Sequence, residues 1–236
     1  MPQVASHSQK LIAETLDFLR GTLRLSGAMF YWIEPDLETE NDILLGLPIG
    51  LTERYRDEMR AFDPLLAARL ARAGKSIAEL CDESRSVPAP DWQQYRAFLH
   101  GFGVTGNLDL LFWAGDGPAR RAYAGISLVS LADDPPLVYS PALWRSLHRY
   151  IAFTLQSHER VRHERLHTLL RGRVGLTERE CEVCDLVAAG ATNQDIADCL
   201  GLTLATIKSY VAQIFDKIGV DTRTALAARL GALQQQ

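Results

Sequence analysis

The stretch from Leu176 to Val220 decides the fold of the C-terminal part of the chain: LTERECEVCDLVAAGATNQDIADCLGLTLATIKSYVAQIFDKIGV. Its pattern predicts three short helices, each starting at a threonine that can accept hydrogen bonds from the first helical turn. These starts are Thr177 with Glu180, Thr192 with Asp195, and Thr203. Gly190 and Gly201 fall where the first two helices must end. A helix, a turn containing glycine and a second helix are typical of a helix-turn-helix unit, whose second helix enters a DNA major groove.

The third predicted helix has two distinct faces at the helical period. One face is an apolar stripe, made by Leu204, Ile207, Val211, Ile214 and Ile218. The opposite face carries small or polar side chains, namely Ala205, Ser209, Ala212 and Asp216, flanked by Thr206, Lys208 and Gln213. Small outward residues allow a close approach to a surface, and longer flanking side chains can reach phosphates. An ordinary amphipathic helix with a solvated face remains the alternative.

Several motifs in this region resemble the LuxR/GerE-type DNA-binding domain, a four-helix module of transcription regulators. They are Leu-Thr-Glu-Arg-Glu at 176–180, Gly-Ala-Thr-Asn-Gln-Asp-Ile-Ala at 190–197, Leu-Gly-Leu-Thr at 200–203, Thr-Ile-Lys at 206–208 and Ile-Phe-Asp-Lys-Ile-Gly-Val at 214–220. The resemblance implies an all-α helix-turn-helix domain over residues 174–236 with double-stranded promoter or operator DNA as its partner. The expected DNA-contacting residues are Thr192, Asn193, Thr203, Ala205, Thr206, Lys208, Ser209, Gln213 and Lys217.

The charge of this module is unusual for a DNA-binding domain. From Val174 onward, five Lys and Arg stand against eight Asp and Glu, a net charge of −3. DNA-binding domains are usually basic, because neutralising phosphates supplies much of the affinity. Residues 158–173 carry five Arg and two Glu, a net charge of +3, and are predicted to be a basic linker. We therefore expect weak DNA binding by one copy, strengthened by the linker arginines and by homodimerisation.

Length and composition fit an ordinary soluble globular chain with one large or two modest domains. The 236 residues are 47% hydrophobic and 23% charged, which is ordinary for a globular chain. No apolar run approaches the length of a membrane span, and residues 1–10 lack a secretory apolar region. Four cysteines do not suggest a disulfide scaffold. The expected location is cytoplasmic, with no membrane partner.

Residues 1–157 are predicted to form an α/β/α sandwich, so that the whole chain is of the α+β class. A helical pattern covers 6–24, and strand-like runs cover 27–33, 42–47, 104–114 and 121–131, the last two joined by a turn at 115–118. Two helices over 51–62 and 64–73 are broken at Asp63-Pro64. Residues 74–90 are predicted to be loop, 91–101 helix, and a long helix runs from Ser140 toward Leu169. Its apolar positions favour either a dimer contact or packing on the sheet.

This arrangement resembles the autoinducer-binding domain of LuxR-type quorum-sensing regulators, a fold related to PAS and GAF domains. Arg54-Tyr55, Phe62-Asp63-Pro64, Trp92, Tyr95, Gly101, Gly103 and Gly125-Ile126-Ser127-Leu128 stand in the family's order. The resemblance implies that Asp63 accepts a hydrogen bond from a ligand amide and that Tyr55 and Ser127 help to bind the ligand. The predicted ligand-binding residues are Tyr55, Phe62, Asp63, Trp92 and Ser127.

Two departures from that family concern the ligand wall. The family usually has tryptophans near the position of Gly50 and in the loop after Asp63-Pro64, where this chain has no aromatic residue. Each aromatic side chain can bury roughly 150–250 Å². A pocket without them must differ in shape or closure, so a signal other than an acyl-homoserine lactone stays open. For Asp63 and Tyr55, a purely structural role as cap and core residues is an equal alternative.

Other motifs point away from metal, cofactor and catalytic chemistry. Cys181 and Cys184 form a C-x-x-C inside the first capped helix, with no second ligand pair nearby, so no metal is expected. No nucleophile elbow, phosphate loop or zinc-protease motif occurs, and the chain is not expected to be an enzyme or to need a cofactor. A phosphoreceiver domain fits poorly, and Asp109 in LDLLFW is predicted to face the sheet edge.

The preferred function is a dimeric, ligand-responsive transcription regulator that senses an acyl-homoserine lactone or a related small signal molecule. One alternative is a regulator whose PAS- or GAF-like domain reads a non-lactone ligand or a protein partner. A second alternative, from another class, is an interaction protein that does not bind DNA and blocks related regulators by dimerising with them. The net charge of −3 would suit that second alternative.

Overall fold

The computed structural model describes residues 7–117, 120–137 and 140–234, in two compact units. The first unit comprises residues 1–113 and 122–158, and the second comprises residues 114–121 and 159–236. The start of the first predicted helix at Ser6 and the Pro118 of the predicted hairpin turn lie outside the described residues.

The first unit is built on a five-stranded sheet with the order β2-β1-β5-β4-β3. The strands are β1 (Gly27–Ile33), β2 (Thr39–Leu45), β3 (Ile77–Glu79), β4 (Val104–Ala114) and β5 (Arg121–Leu131). The pairs β1–β2, β1–β5 and β3–β4 are antiparallel. The register places Met29 opposite Ser127 and Tyr31 opposite Gly125. This register fixes which polar side chains share a face.

The helices of the first unit are α1 (His7–Leu23), α2 (Leu51–Arg54), α3 (Ala67–Arg72), α4 (Leu80–Glu83), α5 (Ala89–Gly101) and α6 (Pro141–Leu155). A wide π-helical turn over Tyr55–Met59 and a 3₁₀ turn over Arg60–Phe62 continue α2, and a second 3₁₀ turn covers Ser84–Ser86. The chain leaves the helical conformation at Asp63, whose ψ is 117°. Proline at 64 explains this, because it disfavours a helical residue before it.

Alternation along the strands separates two apolar layers. Tyr31, Leu111 and Val129 pack with α2, α3 and α5 side chains in one buried cluster. Phe112 faces the other way, where its ring stacks on His148 of α6 with centroids 5.0 Å apart. Helices therefore cover both faces of the sheet, and the predicted α/β/α arrangement is confirmed.

Three predicted elements of the first unit differ in the structure. Residues 74–90, predicted to be loop, contain β3 and α4, and Ala78 pairs with Asp109 in the sheet. β2 begins at Thr39, ahead of the predicted start at Asp42. The single long helix predicted from Ser140 is two helices that break at 156–158. The three-residue β3 is too short for an alternating pattern to reveal it.

The second unit contains five helices: α7 (Glu159–Leu169), α8 (Glu178–Ala188), α9 (Asn193–Leu200), α10 (Leu204–Ile218) and α11 (Arg223–Gln234). A π-helical turn over Leu170–Val174 follows α7. Leu166 and Leu170 are buried in the same core as Ile196, Ile207 and Ile214. The segment 158–173, predicted to be a basic linker, is thus mostly helical and contributes apolar side chains to the C-terminal core.

The predicted helix starts of the C-terminal module are confirmed. Thr177 and Thr192 each form a complete capping box, with Glu180 and Asp195 respectively, and the Thr203 hydroxyl accepts from the Thr206 N–H. Gly201 ends α9 at a φ of 63°, in the left-handed region that glycine adopts without steric cost.

The predicted apolar stripe of α10 is only partly a core stripe. Ile207 and Ile214 are fully buried, and Val211 and Ile218 are half-buried. Leu204 is 38% exposed, so its assignment to the core was wrong. Leu204 is the first residue of α10, where the side chain lies over the turn before the helix rather than over its packed face.

Among the residues that the structure describes, no helix combines the length and the apolar character needed to cross a bilayer.

Gly125 should be intolerant of a side chain because the Tyr31 ring lies where its Cβ would be. We expect Gly125→Ala to lower the free energy of unfolding of the first unit by about 1–3 kcal/mol through overpacking. Thermal and urea unfolding of the full chain would measure this loss. Gly21→Ala in α1 is the matched control, since nothing lies within 4 Å of its added methyl. That control should stabilise the unit by roughly 0.5–1 kcal/mol; equal effects of the two substitutions would contradict the packing assignment.

Candidate functional site

A partly open cavity lies between the sheet and the helices of the first unit, with about 740 Å³ of empty space when the open solvent at its mouth is included. Its wall is mainly apolar, with side chains such as Met29, Leu51, Leu65, Leu99 and Val129. Its polar side chains converge from β1, β2, β4, β5, α5 and the segment 52–63. They are Tyr31, Thr39, Thr52, Tyr55, Asp63, Tyr95, Asn107, Asp109 and Ser127.

Asp63 is the most fully hydrogen-bonded acid of the cavity. Its Oδ2 accepts from the Tyr55 hydroxyl at 2.7 Å, and its Oδ1 accepts from the Leu65 N–H at 2.8 Å. The Tyr95 hydroxyl donates to the same carboxylate. Burial raises the pKa of Asp63, and these hydrogen bonds oppose the rise. The π-helical turn over Tyr55–Met59 lies between Tyr55 and Asp63 in the chain, and the side chains of these two residues meet within the cavity wall.

Asp109 is a second buried acid on the cavity wall, 4% exposed. The Tyr31 hydroxyl donates to its Oδ2 at 2.8 Å, whereas its Oδ1 has no hydrogen-bond partner among the described residues. Burial, followed by the charge of Asp63, raises the pKa of Asp109 to about 7. The prediction that Asp109 faces the sheet edge was wrong: β3 covers that edge, and Asp109 lies beside the cavity.

The structure brings together three of the five predicted ligand-binding residues. Tyr55, Asp63 and Ser127 line the cavity. Phe62 and Trp92 do not; both are half-buried and pack against the surrounding apolar cluster. Sequence reasoning missed Tyr31 and Asn107 on the wall. The signal that could have found Asp109 is a lone acid within an apolar strand, since a charge there needs a partner or a function.

Where the resembled family has an aromatic wall, this chain has aliphatic and small side chains. Leu47, Leu51 and Thr52 line that side of the cavity, after the turn at Gly50. These side chains cover less area than an indole and leave the cavity partly open.

On α10, the predicted DNA-facing side is available at its surface. Ala205, Lys208, Ser209 and Gln213 are exposed, and Thr206 is half-buried with its hydroxyl 2.8 Å from that of Thr203. Thr192 caps the start of α9, and its hydroxyl donates to Asp195 Oδ2 at 2.7 Å. Asn193 is half-buried and accepts from Arg223 at 3.2 Å.

Lys217 has a structural partner that the sequence did not reveal. Its Nζ lies 2.8 and 2.7 Å from the two carboxylate oxygens of Glu180 and donates to the Gly175 carbonyl at 3.2 Å. Glu180 is 1% exposed and also caps α8. Lys217 therefore neutralises a buried acid that joins the start of α8 to the end of α10, which does not favour its predicted role as a phosphate contact.

Most of the few Lys and Arg side chains of the C-terminal module likewise contact other groups within it. Arg179 donates to the Leu200 carbonyl at 2.8 Å and pairs with Glu182, and Arg223 donates to Asn193 and to the Ala191 carbonyl. With Lys217, three of the module's five Lys and Arg have internal partners. The exposed arginines Arg162, Arg171 and Arg173 lie in α7 and the turn that follows it.

The C-x-x-C thiols belong to the core. Cys181 and Cys184 are both fully buried. Burial raises the pKa of Cys181 to about 11 and that of Cys184 to about 12. Cys81 and Cys199 are exposed free thiols.

One group of side chains in the second unit has atoms of the type that bind metals. His163, His167 and Asp185 bring three such atoms within 4.8 Å of one another. His167 Nε2 lies 2.8 Å from Asp185 Oδ2, and the two histidine rings are 4.2 Å apart. The His167–Asp185 contact joins α7 to α8. The expectation of no metal site remains a prediction.

Comparison with known proteins identifies the class of the C-terminal module. Residues 174–230 match the family model described as bacterial regulatory proteins, luxR family. The monoamine regulon transcriptional regulator of Klebsiella aerogenes is 26% identical over 241 residues, covering 95% of this chain and 92% of that protein. The response regulator protein VraR of Staphylococcus aureus is 45% identical over 49 residues, 21% of this chain and 23% of its own length. The crystal structure of Escherichia coli SdiA aligns over 99% of this chain and 93% of its own, with 18% identity and a TM-score of 0.46.

Residues 174–230 are therefore a helix-turn-helix domain of the kind found in bacterial regulatory proteins. The Klebsiella protein is named as a transcriptional regulator and the Staphylococcus protein as a response regulator.

Ionisation of Asp109 should make the stability of the first unit pH-dependent. Its pKa of about 7 in the folded state lies above its usual value of 3.8, so the folded state binds the proton more tightly. Stability is then lost as pH rises from the lower value to the higher one. We expect Asp109→Asn to be about 1–3 kcal/mol more stable than the parent at pH 8, with the difference vanishing near pH 4.

Unfolding followed by tyrosine and tryptophan fluorescence between pH 4 and pH 8 would measure this difference. Asp57→Asn, at an exposed position in the π-helical turn, is the matched control and should leave the pH profile unchanged. Parallel profiles for the parent and Asp109→Asn would contradict the assignment.

Loss of the Lys217 ammonium should leave Glu180 as an unpaired buried charge. We expect Lys217→Met to lower the free energy of unfolding of the second unit by about 1–3 kcal/mol. The expected loss is smaller than that for a fully buried ion pair, because the Lys217 side chain is 35% exposed. Lys208→Met, the same substitution at an exposed position of the same helix, should change stability by at most about 0.5 kcal/mol. Urea unfolding monitored by circular dichroism would compare the stabilities of the two variants. Similar losses of stability in both would refute the structural role of Lys217.

Proposed function

We propose that this transcription regulator binds DNA as a homodimer through α10 and responds to a small-molecule signal that binds in the cavity of the first unit. The observation that carries the signal-binding part is the cavity itself: about 740 Å³, mainly apolar, with a buried carboxylate fixed by Tyr55, Tyr95 and the Leu65 N–H. Such a site is organised before a ligand arrives, so little ordering remains to oppose binding.

Asp63 supports a signal that carries an N–H donor. Its oxygens accept from Tyr55 and Leu65, yet a carboxylate has about four lone-pair positions and can accept further bonds. An acyl-homoserine lactone or a related amide would satisfy it through its N–H. The Klebsiella relative is named as the regulator of a monoamine regulon, so an amine-related signal is a second chemistry to consider.

The proposed DNA contacts are those of α10 and the turn before it. Ala205 and Ser209 are small and exposed, which permits close approach to base edges, while Lys208 and Gln213 can reach the backbone or the groove edge. Thr203 and Thr206 stand at the start of α10, and Thr192 is proposed as a contact from the start of α9. Lys217 and Asn193 are assigned weaker roles, since each already has an internal partner.

A homodimer follows from the shortage of available cations. With three of five module cations engaged internally, one copy offers few phosphate contacts, and a second copy doubles them. An apolar surface that fits this role lies on α6, where Tyr150 and Phe153 are 59% and 71% exposed and Phe18 of α1 lies beside Tyr150. The half-sites of such a dimer would lie about 10 base pairs apart, centre to centre.

DNA binding is tested by fluorescence anisotropy of the full chain on DNA from upstream of its own gene, over a series of salt concentrations. We expect Lys208→Ala to weaken binding and to reduce the slope of log affinity against log salt by about 1 per copy, because one phosphate contact is lost. Arg229→Ala removes the same charge from an exposed position on α11 and should leave the slope unchanged.

Absence of binding by the parent at low salt, with and without candidate signals, would contradict the proposal and favour the blocking protein. Equal slopes for the two variants would contradict the contact assigned to Lys208 alone.

A further inference from the structure

The charged side chains on the cavity wall are all acidic, and this limits the chemical classes of signal molecule that the cavity can bind. This inference rests on the proposed function, in which the cavity holds the signal. Two carboxylates, Asp63 and Asp109, line the cavity, and none of the described lining residues is Lys, Arg or His. A ligand that carries a carboxylate or phosphate would meet two acids and no cation, which excludes anionic signals.

The two carboxylates differ in how many of their acceptor positions are already hydrogen-bonded. Asp63 accepts from two tyrosines and a backbone N–H, so its charge is already stabilised by protein donors. Asp109 accepts from the Tyr31 hydroxyl through Oδ2, and the Ser127 hydroxyl also lies close enough to lower its pKa, but its buried Oδ1 has no hydrogen-bond partner among the described residues. The neighbouring Ser127 hydroxyl donates its single proton to Asn107 Oδ1 at 2.8 Å.

While it is ionised, a buried, half-satisfied carboxylate beside another acid is destabilising unless a donor of positive charge completes it. Water or a neutral N–H can fill one acceptor position, but neither offsets two neighbouring acids. An ammonium group does both, because it carries a positive charge and three donors. The remaining wall is aliphatic, with Met29, Leu47, Leu51 and Leu99 available to cover an apolar body.

We propose that the signal is a small primary amine with an apolar aryl or alkyl body, and that its ammonium donates to Asp109 Oδ1. Tyr31 positions the Asp109 carboxylate through its hydroxyl, and Gly125 leaves the space in which the Tyr31 ring lies. Asp63 adds a second negative charge near the ammonium. The wall thus discriminates by charge, whereas a lactone pocket discriminates by acyl shape and an amide N–H.

Binding should depend on the ionisation of Asp109. The groups that face it are Tyr31 from β1, Ser127 from β5, and Asp63 with Tyr55 and Tyr95 across the cavity. The pKa values of all three tyrosines are raised well above 10, so these side chains stay neutral below pH 8. Since Asp109 ionises near pH 7, the affinity for an amine should rise from pH 6 to pH 8, with release of a proton on binding at the lower pH.

The experiment is isothermal titration calorimetry of the full chain with 2-phenylethylamine, with its neutral counterpart 2-phenylethanol, and with N-octanoyl-homoserine lactone. We expect the amine to bind at least about tenfold more tightly than the alcohol, as a charge-assisted hydrogen bond requires. Asp109→Asn should abolish this preference and the pH dependence. Asp57→Asn, an exposed acid outside the cavity, should change neither. The unfolding experiment on Asp109→Asn establishes that the variant is folded.

The outcomes separate this inference from the proposed function. Equal binding of amine and alcohol, or an unchanged amine preference in Asp109→Asn, overturns the amine inference. Binding of the lactone with no response to the amine overturns it too but leaves a signal-binding regulator. If none of the three compounds binds, the amine inference fails in this form, while DNA binding is judged by its own salt-dependent assay.

Discussion

Two carboxylates buried in one apolar cavity constrain the whole N-terminal unit. Each must be stabilised by donors, and the fold supplies them from different elements: Tyr55 from the π-helical turn, Tyr95 from α5 and Tyr31 from β1. The tyrosine hydroxyls can reach the two carboxylates only because the tyrosine rings lie in the apolar layer between the sheet and the helices. That requirement extends to Gly125, where any side chain would displace Tyr31. The register of β1 against β5 is therefore linked to the chemistry of the cavity.

The C-terminal unit also contains a buried carboxylate that must be stabilised, that of Glu180. Glu180 serves at once as capping residue and as partner of Lys217, so a single buried carboxylate joins the start of α8 to the end of α10. Burial alone would raise the pKa of Glu180, but the Lys217 ammonium and the hydrogen bonds from Thr177 lower it. The orientation of α10 on the unit is thereby fixed by charge as well as by Ile207 and Ile214. One consequence is that the Lys217 ammonium is already engaged within the unit.

Sequence reasoning predicted what local chemistry encodes and missed what depends on tertiary contacts. The caps at Thr177, Thr192 and Thr203 could be predicted because each involves residues three positions apart. Strands β1, β4 and β5 were found through long apolar runs, whereas β3 is too short to leave such a signal. The pairing of Lys217 with Glu180 joins residues 37 positions apart, and that of Tyr31 with Asp109 joins residues 78 apart. Neither pairing has a periodic signature, so both polar contacts could only be seen once the chain was folded.

The four cysteines divide into two classes, and this gives the molecule a built-in reporter. At neutral pH, thiols with pKa values of about 11 and 12 are almost wholly protonated, and Cys181 and Cys184 are also shielded from solvent. Alkylating reagents attack the thiolate, so these two sites should be modified only when the C-terminal unit opens. Cys81 and Cys199, being exposed, should be modified in the native state. The rate at which the buried pair becomes labelled therefore measures how often the C-terminal unit unfolds, separately from unfolding of the first unit.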